Sequence, residues 1–289
     1  MQTRLLTLES ADWAAPGSDP AWIEAVEDGQ VLYFPRLSFA LSPGEQALLG
    51  PALLQPGVRN ISLDAAGQLK GVAGEAPVQA QARALIERFA AQSLQLVHTL
   101  FPKYQGQLRL APTSLRPVGV SNRRQSWRAD DRRLHVDAFP SRPNRGERIL
   151  RVFSNINPHG QPRVWRIGEP FGDVARRFLP VARRYSPLQA RLLRALGVTK
   201  SLRSEYDHLM LQLHDLMKAD AGYQAEAPQQ TMEFPPGSTW VCFSDQTVHA
   251  AMSGQHMIER TFHLPVASQY NREASPLAIL TRLAGHPLI

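Results

Sequence analysis

The stretch "RRLHVDAFPSRPNRGERILRVF", residues 132–153, contains the spacing on which the fold assignment depends. At its centre, His135 and Asp137 stand two residues apart among apolar neighbours. Because side chains alternate across a strand, both project from one face, while the leucine, valine and alanine around them take the other. An imidazole and a carboxylate on one face are two of the three ligands of a non-haem iron(II) site. The spacing alone is a weak signal, so a third ligand is needed.

Among the other histidines, His249 has the most suitable surroundings for that ligand. It ends the strand-like run "GSTWVCFSDQTVHAAMSG", residues 237–254, and the small residues after it leave room for a metal and a co-substrate. His208 and His214 lie six residues apart in a helical stretch, which places them on different helix faces, and we expect them to be surface or packing residues. His159, in a loop, carries no specific signal.

Arg260 follows His249 by eleven positions, in the next predicted strand, "MIERTFHLPV". Alternation places Arg260, Phe262 and Leu264 on one face of that strand. A guanidinium that shares a face with Phe and Leu points into a core and needs a buried anion. A protein carboxylate would satisfy it. The alternative is the far carboxylate of a bound dicarboxylic acid, held bidentately.

His135, Asp137, His249 and Arg260 together resemble the iron(II)- and 2-oxoglutarate-dependent dioxygenases, whose pattern is H-x-D, a distal histidine and an arginine soon after it. The resemblance implies a double-stranded β-helix, or jelly roll, as the core. It also implies that the first three residues bind Fe(II), with 2-oxoglutarate and O2 as cosubstrates. Arg260 would then pair with the far carboxylate of 2-oxoglutarate.

Three longer segments resemble one family within that group, the hydroxylases of 3-deoxy-D-manno-octulosonic acid (Kdo). The segments are "DGQVLYFPRLSFALSPGEQALL", "RRLHVDAFPSRPNRGERILRVFSNINP" and "PPGSTWVCFSDQTVHAAMSGQ". The resemblance implies hydroxylation of the third carbon of a Kdo sugar in the lipopolysaccharide inner core, which gives the sugar Ko. The implied substrate is Kdo-lipid A, an anionic glycolipid at the membrane surface.

Further site candidates lie on the strand "ILRVFSNIN" and before the H-x-D pair. Arg151 and Asn155 share a strand face. If that face lines the barrel, Asn155 would hydrogen-bond 2-oxoglutarate and Arg151 would bind an anion of the substrate. A buried polar network without any ligand is the alternative. Ser121, Asn122 and Gln125 are weaker candidates.

The loop "SRPNRGER" follows the H-x-D pair directly, so we expect it at the mouth of the site. Arg142, Arg145 and Arg148 would there bind the carboxylate of the acid sugar or the phosphates of lipid A. The formal net charge of +7, from 32 basic and 25 acidic residues, suits such a polyanionic substrate and peripheral contact with the inner leaflet of the bacterial inner membrane. A solvated charged surface is the simpler alternative.

Composition sets the remaining bounds. A chain of 289 residues with 43% hydrophobic content is long and apolar enough for a sizeable core. Its single cysteine excludes a disulfide framework, and it contains no apolar run of membrane-spanning length. Because the start shows no basic-then-apolar leader, we expect a cytoplasmic protein. The oligomeric state stays open.

The pattern along the chain predicts an α+β protein with a mainly β core, helical insertions and flanking helices. Residues 75–101 repeat apolar positions at helical spacing, and residues 172–219 are helical again. We expect one domain, in which residues 1–110 supply an N-terminal strand and a long helix that packs on the barrel and residues 111–289 form the jelly-roll core. The insertion at 174–200 either packs on the barrel, which we favour, or lies on a membrane.

Two other functions compete with the Kdo hydroxylase interpretation. One is a dioxygenase acting on another anionic substrate, a small metabolite or nucleic acid. Since the basic stretches lack the interleaved aromatics used for base stacking, we expect no nucleic-acid partner. The other is a non-catalytic jelly-roll binding module, which leaves the fit of four residues to one iron-site pattern to chance. Zinc hydrolysis at the same ligands would give Arg260 no role.

Overall fold

The computed structural model describes residues 4–14, 16–119 and 125–289. They contain eleven strands and eight α-helices. The strands are β1 (Leu5–Thr7), β2 (Val31–Phe34), β3 (Ile61–Leu63), β4 (Leu69–Lys70), β5 (Arg109–Arg116), β6 (Arg148–Asn155), β7 (Arg163–Gly168), β8 (Gln229–Phe234), β9 (Thr239–Phe243), β10 (His249–Ser253) and β11 (Met257–Leu264). The helices are α1 (Pro20–Glu27), α2 (Pro43–Ala47), α3 (Ala76–Leu100), α4 (Phe171–Phe178), α5 (Pro187–Ala195), α6 (Glu205–Ala219), α7 (Ala221–Glu226) and α8 (Pro276–Ala284).

Two sheets form the core. The main sheet has the strand order β1-β2-β9-β6-β11-β5-β3-β4, and the minor sheet has the order β10-β7-β8. The segment around His135 joins the minor sheet through a bridge to His249. Phe153, Trp165 and Trp240 pack in the layer between the sheets, because they project from the facing sides. This is the predicted double-stranded β-helix, and the fold prediction is confirmed.

The outer face of the main sheet, which points away from the minor sheet, is covered by α3. Leu85, Phe89 and Leu96 of this helix belong to the same buried cluster as Val152 and Phe262 of the sheet. The helix predicted at 75–101 is confirmed as Ala76–Leu100. A proline in its first turn and the absence of glycine favour this continuous helix.

The N-terminal region contributes more to the sheet than the single strand predicted for it. β1 pairs in parallel with β2, and β2 pairs with β9, at one edge of the main sheet. β3 and β4 extend the opposite edge beyond β5. The strands β1 to β4 have only two to four residues each, too few for an alternating pattern to be recognised. The single-domain assignment stays a prediction.

The run 237–254, predicted as one strand, is two strands in different sheets. β9 lies in the main sheet and β10 in the minor sheet, and a turn at residues 244–247 connects them. The turn consists of Ser, Asp, Gln and Thr, and its Asp245 accepts a hydrogen bond from the Ile149 amide at 3.0 Å. His249 therefore begins a strand instead of ending one.

The predicted helical insertion is confirmed as α4, α5 and α6. α4 and α6 pack together with α8 in a second cluster, which also buries Leu134 and Val136 from the H-x-D segment. α5 lies apart from that cluster and keeps only Ala190 buried. In the described parts of the chain, no helix combines the length and hydropathy needed to span a bilayer.

Candidate active site

The three predicted metal ligands come together at one end of the minor sheet. His135 Nε2 lies 3.7 Å from Asp137 Oδ1, and the two imidazole rings have centroids 4.6 Å apart. The candidate ligand atoms of His135, Asp137 and His249 all lie within 4.8 Å of one another. We refer to these residues as the triad. Their spacing lets one small cation contact all three side chains.

Backbone pairing explains how residues so distant in sequence meet. The His135 amide donates to the His249 carbonyl at 3.0 Å, and the His249 amide donates back at 2.9 Å. Two residues on, the Asp137 amide donates to the Ser244 carbonyl at 2.8 Å. Leu134 and Val136 point into the helical cluster on the other side. The alternation predicted from the sequence is therefore present, although a single bridge replaces a regular strand.

Each triad histidine is oriented by a backbone carbonyl. His135 Nδ1 lies 2.7 Å from the Arg133 carbonyl oxygen, and His249 Nδ1 lies 2.8 Å from that of Thr247. A carbonyl only accepts, so each Nδ1 carries the proton and each Nε2 keeps its lone pair. The His249 ring also stacks on Trp165, with centroids 4.9 Å apart and planes inclined by 23°. Both lone pairs are thus available to a metal.

The electrostatics of the triad favour its metal-binding protonation state. Burial lowers the pKa of His135, and repulsion from His249 lowers it further. Burial likewise lowers the pKa of His249, against the attraction of Asp137. Burial alone would raise the pKa of Asp137, but Arg151 and then the two histidines outweigh it and hold that pKa below its ordinary value. Neutral imidazoles and an ionised carboxylate result at neutral pH.

The triad opens onto a cavity of about 190 Å³, here called the triad cavity. Among the described residues, its charged lining consists of three guanidinium groups and three carboxylates: Arg116, Arg151, Arg163, Asp131, Asp137 and Glu259. Arg151 donates to Asp137 Oδ2 at 2.9 Å and lies 3.3 Å from Glu259 Oε1. Arg116 reaches the same Glu259 oxygen at 2.7 Å. Glu259 thereby fixes the positions of both arginines.

Arg260 lies on the opposite face of the main sheet from the triad, which corrects its predicted contact with 2-oxoglutarate. It is opposite Val152 of β6, whose side chain belongs to the cluster under α3. Its guanidinium donates to Thr113 Oγ1, and burial alone lowers its pKa. The prediction that Arg260 shares a strand face with Phe262 and Leu264 is confirmed, but that face is the outer face of the main sheet. No protein carboxylate pairs with it among the described residues.

Asn155 and Arg148 also have structural roles in place of the predicted binding roles. The Asn155 amide donates to the carbonyl oxygens of Gln161 at 3.0 Å and Phe234 at 2.8 Å, and its oxygen accepts from the Asn157 amide. This is the satisfied polar network left open as the alternative. Arg148 is fully buried and pairs with Asp245 at 2.8 Å, so it cannot meet a substrate at the surface.

The two exposed loop arginines, Arg142 and Arg145, lie at different places on the surface. Arg145 has a left-handed backbone, with φ of 51°, and borders a different surface groove beside Tyr185. It does not reach the triad cavity. Arg142 does lie at the mouth of the site, because it lines a larger cavity of about 640 Å³ that adjoins the triad cavity. The two cavities share Arg116, Phe139, Arg151 and Glu259 in their linings. We call this space the outer cavity.

Several site residues were not found from the sequence. Arg163 and Trp165 alternate on the short strand β7, which has too few residues for its inner face to be recognised. His214, predicted as a surface or packing residue, has its ring centroid 5.5 Å from that of His135. Lys200 lines the outer cavity from a loop after α5. Only the fold brings these residues to the triad and the two cavities beside it.

Of the weaker candidates before the H-x-D pair, only Gln125 lies within the described residues. Ser121 and Asn122 lie outside the described residues. The Gln125 side chain donates to Asp130 at 3.3 Å and accepts from Arg59 at 3.0 Å. Gln125 is thus held in a surface network.

Comparisons of the sequence and of the structure with known proteins point to the same family. The sequence profile of 3-deoxy-D-manno-oct-2-ulosonic acid (Kdo) hydroxylases matches residues 10–287. The chain is 44% identical to the Kdo hydroxylase KdoO, a non-heme Fe(II) alphaketoglutarate dependent dioxygenase, over 99% of this chain and 97% of that one. The TM-score is 0.95 for the cobalt(II) complex and 0.94 for the complexes with alphaketoglutarate or succinate and Fe(III). A search of curated proteins gives no match.

Proposed function

The chain belongs to the Kdo hydroxylase family and is an Fe(II)- and 2-oxoglutarate-dependent dioxygenase acting on Kdo, and we propose that it hydroxylates the third carbon of Kdo in Kdo-lipid A to give Ko. The observation that carries the proposal is the buried triad beside a cavity lined by three arginines. A non-catalytic binding module does not fit a member of an enzyme family.

The triad suits Fe(II) by the chemistry of its donors. Two neutral imidazoles and one carboxylate on one side of a cavity form the 2-His-1-carboxylate set, which leaves positions open for other ligands. In our proposal His135, Asp137 and His249 bind the metal. Arg151 holds Asp137 Oδ2 at 2.9 Å, which leaves Oδ1 directed toward His135 Nε2. Trp165 keeps the His249 ring in place by stacking.

The charge of the triad cavity suits the two cosubstrate components together. Its three guanidinium groups and three carboxylates sum to zero when the histidines are neutral. Adding Fe(II) and the doubly negative 2-oxoglutarate keeps that sum at zero, whereas either alone would leave two uncompensated charges in a buried site. We propose that Arg116, Arg151 and Arg163 orient the carboxylates of 2-oxoglutarate, in place of Arg260.

Bound iron and 2-oxoglutarate supply the oxidising chemistry, in which O2 is consumed, 2-oxoglutarate becomes succinate and carbon dioxide, and a C–H bond of the substrate becomes C–OH. The residues of the chain contribute positioning. Arg116 and Arg151, both held by Glu259, preset the geometry in which the reactants meet. This lowers the entropic part of the barrier. The aromatic layer of Phe153 and Trp165 closes the inner end of the cavity against water.

The outer cavity is the proposed site of the sugar. Its volume of about 640 Å³ is in the range of small-molecule sites, and it leads directly to the triad cavity. Arg142 and Lys200 in its lining suit the Kdo carboxylate or a nearby phosphate of the lipid. Asn144 and Ser201 offer hydrogen-bonding groups for hydroxyls. We propose a cytoplasmic enzyme that meets this substrate peripherally at the inner leaflet of the inner membrane.

The test is incubation of the Fe(II)-loaded enzyme with Kdo-lipid A, 2-oxoglutarate and isotopically labelled O2. We expect one labelled oxygen atom in the lipid product, one succinate per product, and NMR signals that place the new hydroxyl on the third carbon of Kdo. His249→Ala is the matched negative control. Turnover of 2-oxoglutarate without oxygen transfer to Kdo-lipid A would contradict the proposed substrate.

A further inference from the structure

The segment around α5 carries an unusual concentration of exposed apolar side chains. In the described residues, five of the eleven exposed large apolar side chains lie between positions 181 and 198. They are Val181, Leu188, Leu192, Leu196 and Val198, with 52–76% of each side chain accessible. We call this group the α5 surface. Exposed apolar side chains concentrated in this way on a globular protein mark an interaction site.

The geometry of α5 aligns three of these five side chains. Leu188, Leu192 and Leu196 follow one another at intervals of four residues, so they lie on one face of the helix and of the turn that ends it. Ala190, on the opposite side, is buried against the protein. The helix therefore presents its leucines outward, although packing them inward was the interpretation favoured from the sequence.

The sequence that carries the α5 surface holds only positive charges. No acidic residue occurs between Asp173 and Glu205, whereas eight basic residues do. Arg183, Arg184, Arg191, Arg194 and Lys200 among them are exposed. A second copy of the chain on this patch would bring equal positive charges together, which opposes self-association. Apolar side chains ringed by arginines instead match the interface of an anionic bilayer.

The α5 surface is also tied to the mouth of the outer cavity. The Lys200 amide donates to the Ser141 carbonyl at 2.9 Å, and Arg203 Nη2 donates to the Pro140 carbonyl at 2.7 Å. Lys200 and Ser201 themselves line the outer cavity. A membrane in contact with α5 would therefore lie beside the cavity entrance.

We propose that the α5 surface docks the enzyme on an anionic phospholipid bilayer, with α5 in the interface plane. The leucines enter the boundary between headgroups and acyl chains, and the arginines extend outward to lipid phosphates. This deepens the proposed function, on which it rests for the orientation of the cavity toward a lipid-borne sugar. The contact itself needs no Kdo.

The experiment measures sedimentation of the 289-residue chain with phosphatidylcholine vesicles, with and without phosphatidylglycerol. Removing each cation costs roughly fivefold in partitioning, so R191Q/R194Q should bind about 30-fold more weakly to the anionic vesicles. L188S/L192S should lose at least about tenfold. The matched controls L283S and R36Q/R59Q alter exposed residues elsewhere and should change binding less than about twofold.

Each outcome decides the question. Wild type binding only the anionic vesicles, with loss in both α5 variants and retention in both controls, supports the proposal. The proposal is overturned if wild type fails to bind, or if both α5 variants bind as tightly as wild type. If sedimentation velocity shows that wild type is a dimer and L188S/L192S a monomer, the α5 surface is a self-association site and the proposal is overturned. Turnover of detergent-solubilised Kdo-lipid A, measured separately, should be unchanged in the variants, and its absence in wild type would contradict the proposed function alone.

Discussion

The two faces of strand β11 bury charged side chains for different reasons. Glu259, on the inner face, pairs with Arg116 and Arg151 and helps to build the triad cavity. Arg260, its neighbour on the outer face, contacts Thr113 amid apolar side chains under α3. Burial of a charged group in a jelly-roll strand is therefore no sign of a ligand. What matters is whether its face of the sheet encloses the metal site.

Removing the triad carboxylate, Asp137, should have the largest effect on metal binding and turnover, because it removes both a metal ligand and the partner of Arg151. We expect Asp137→Ala to abolish detectable Fe(II) binding in anaerobic calorimetry. The loss of turnover should exceed the roughly 10–100-fold effect typical of groups that only support ligands. Asp130→Asn, a carboxylate paired with Arg132 in the same segment, is the control and should bind iron normally. Normal iron binding by Asp137→Ala would remove it from the triad.

Glu259→Gln should cost about 3 kcal/mol in the free energy of unfolding, because the buried Glu259 site then holds two partly buried guanidinium groups without their charged partner. Burial would raise the pKa of Glu259, but Arg116 and Arg151 outweigh burial and lower it. This stabilisation is thus present above the unfolded-state pKa and is lost as the pH falls through the lower folded-state pKa.

Urea denaturation at neutral and acid pH measures both effects of Glu259→Gln. The variant should lie far below wild type at neutral pH and approach it in acid. Glu147→Gln, which breaks the exposed pair with Arg109, is the control and should cost less than about 1 kcal/mol. Equal losses for the two variants would contradict a special role for the inner face.

His263, also on the inner face, should make stability depend on pH over a defined range. Burial, reinforced by Arg109, lowers its pKa from 6.5 to about 4. The unfolded chain binds this proton first, so stability is lost as the pH falls from 6.5 toward 4. We expect His263→Gln to remove roughly 1–2 kcal/mol of that loss in urea titrations between neutral pH and pH about 4.5. An unchanged pH dependence would show that His263 is not the responsible group.

Arg260→Met should have the smallest effect, although it removes a buried charge. Burial is what lowers the pKa of Arg260, and no ion pair within the described parts of the chain opposes it, so an apolar side chain of similar length costs little there. We expect the free energy of unfolding to change by less than about 1 kcal/mol, measured by urea denaturation. A loss as large as that of Glu259→Gln would show that the outer face also depends on a charge network.

Strong local patterns made part of this structure predictable. The H-x-D alternation correctly placed His135 and Asp137 on one face. The helical spacing of apolar residues along the 25 residues of α3 predicted a long helix. Ala251, one of the small residues after His249, lines the triad cavity. Each of these features depends on residues close together in sequence, or on a chemical combination that few folds use.

The missed features depend on how the sheets face each other. Alternation shows that Arg260 shares a face with Phe262, but it does not show which face meets the minor sheet. The same applies to Arg163 and Trp165, whose strand becomes part of the site only because β10 pairs with β7. The turn at 244–247, which moves His249 into a different sheet from Trp240, was read as continuous strand. Long-range pairing decided these cases.

The most direct test of the inner-face assignment is anaerobic titration of 2-oxoglutarate into the Fe(II)-loaded enzyme, followed by the visible charge-transfer band of the chelate. Arg163→Ala and Arg260→Met would be compared with wild type. We predict that Arg163→Ala weakens 2-oxoglutarate binding roughly 30- to 100-fold, as expected for loss of a buried charged hydrogen-bond partner, while Arg260→Met binds like wild type. Weakened binding in Arg260→Met with wild-type affinity in Arg163→Ala would contradict the assignment.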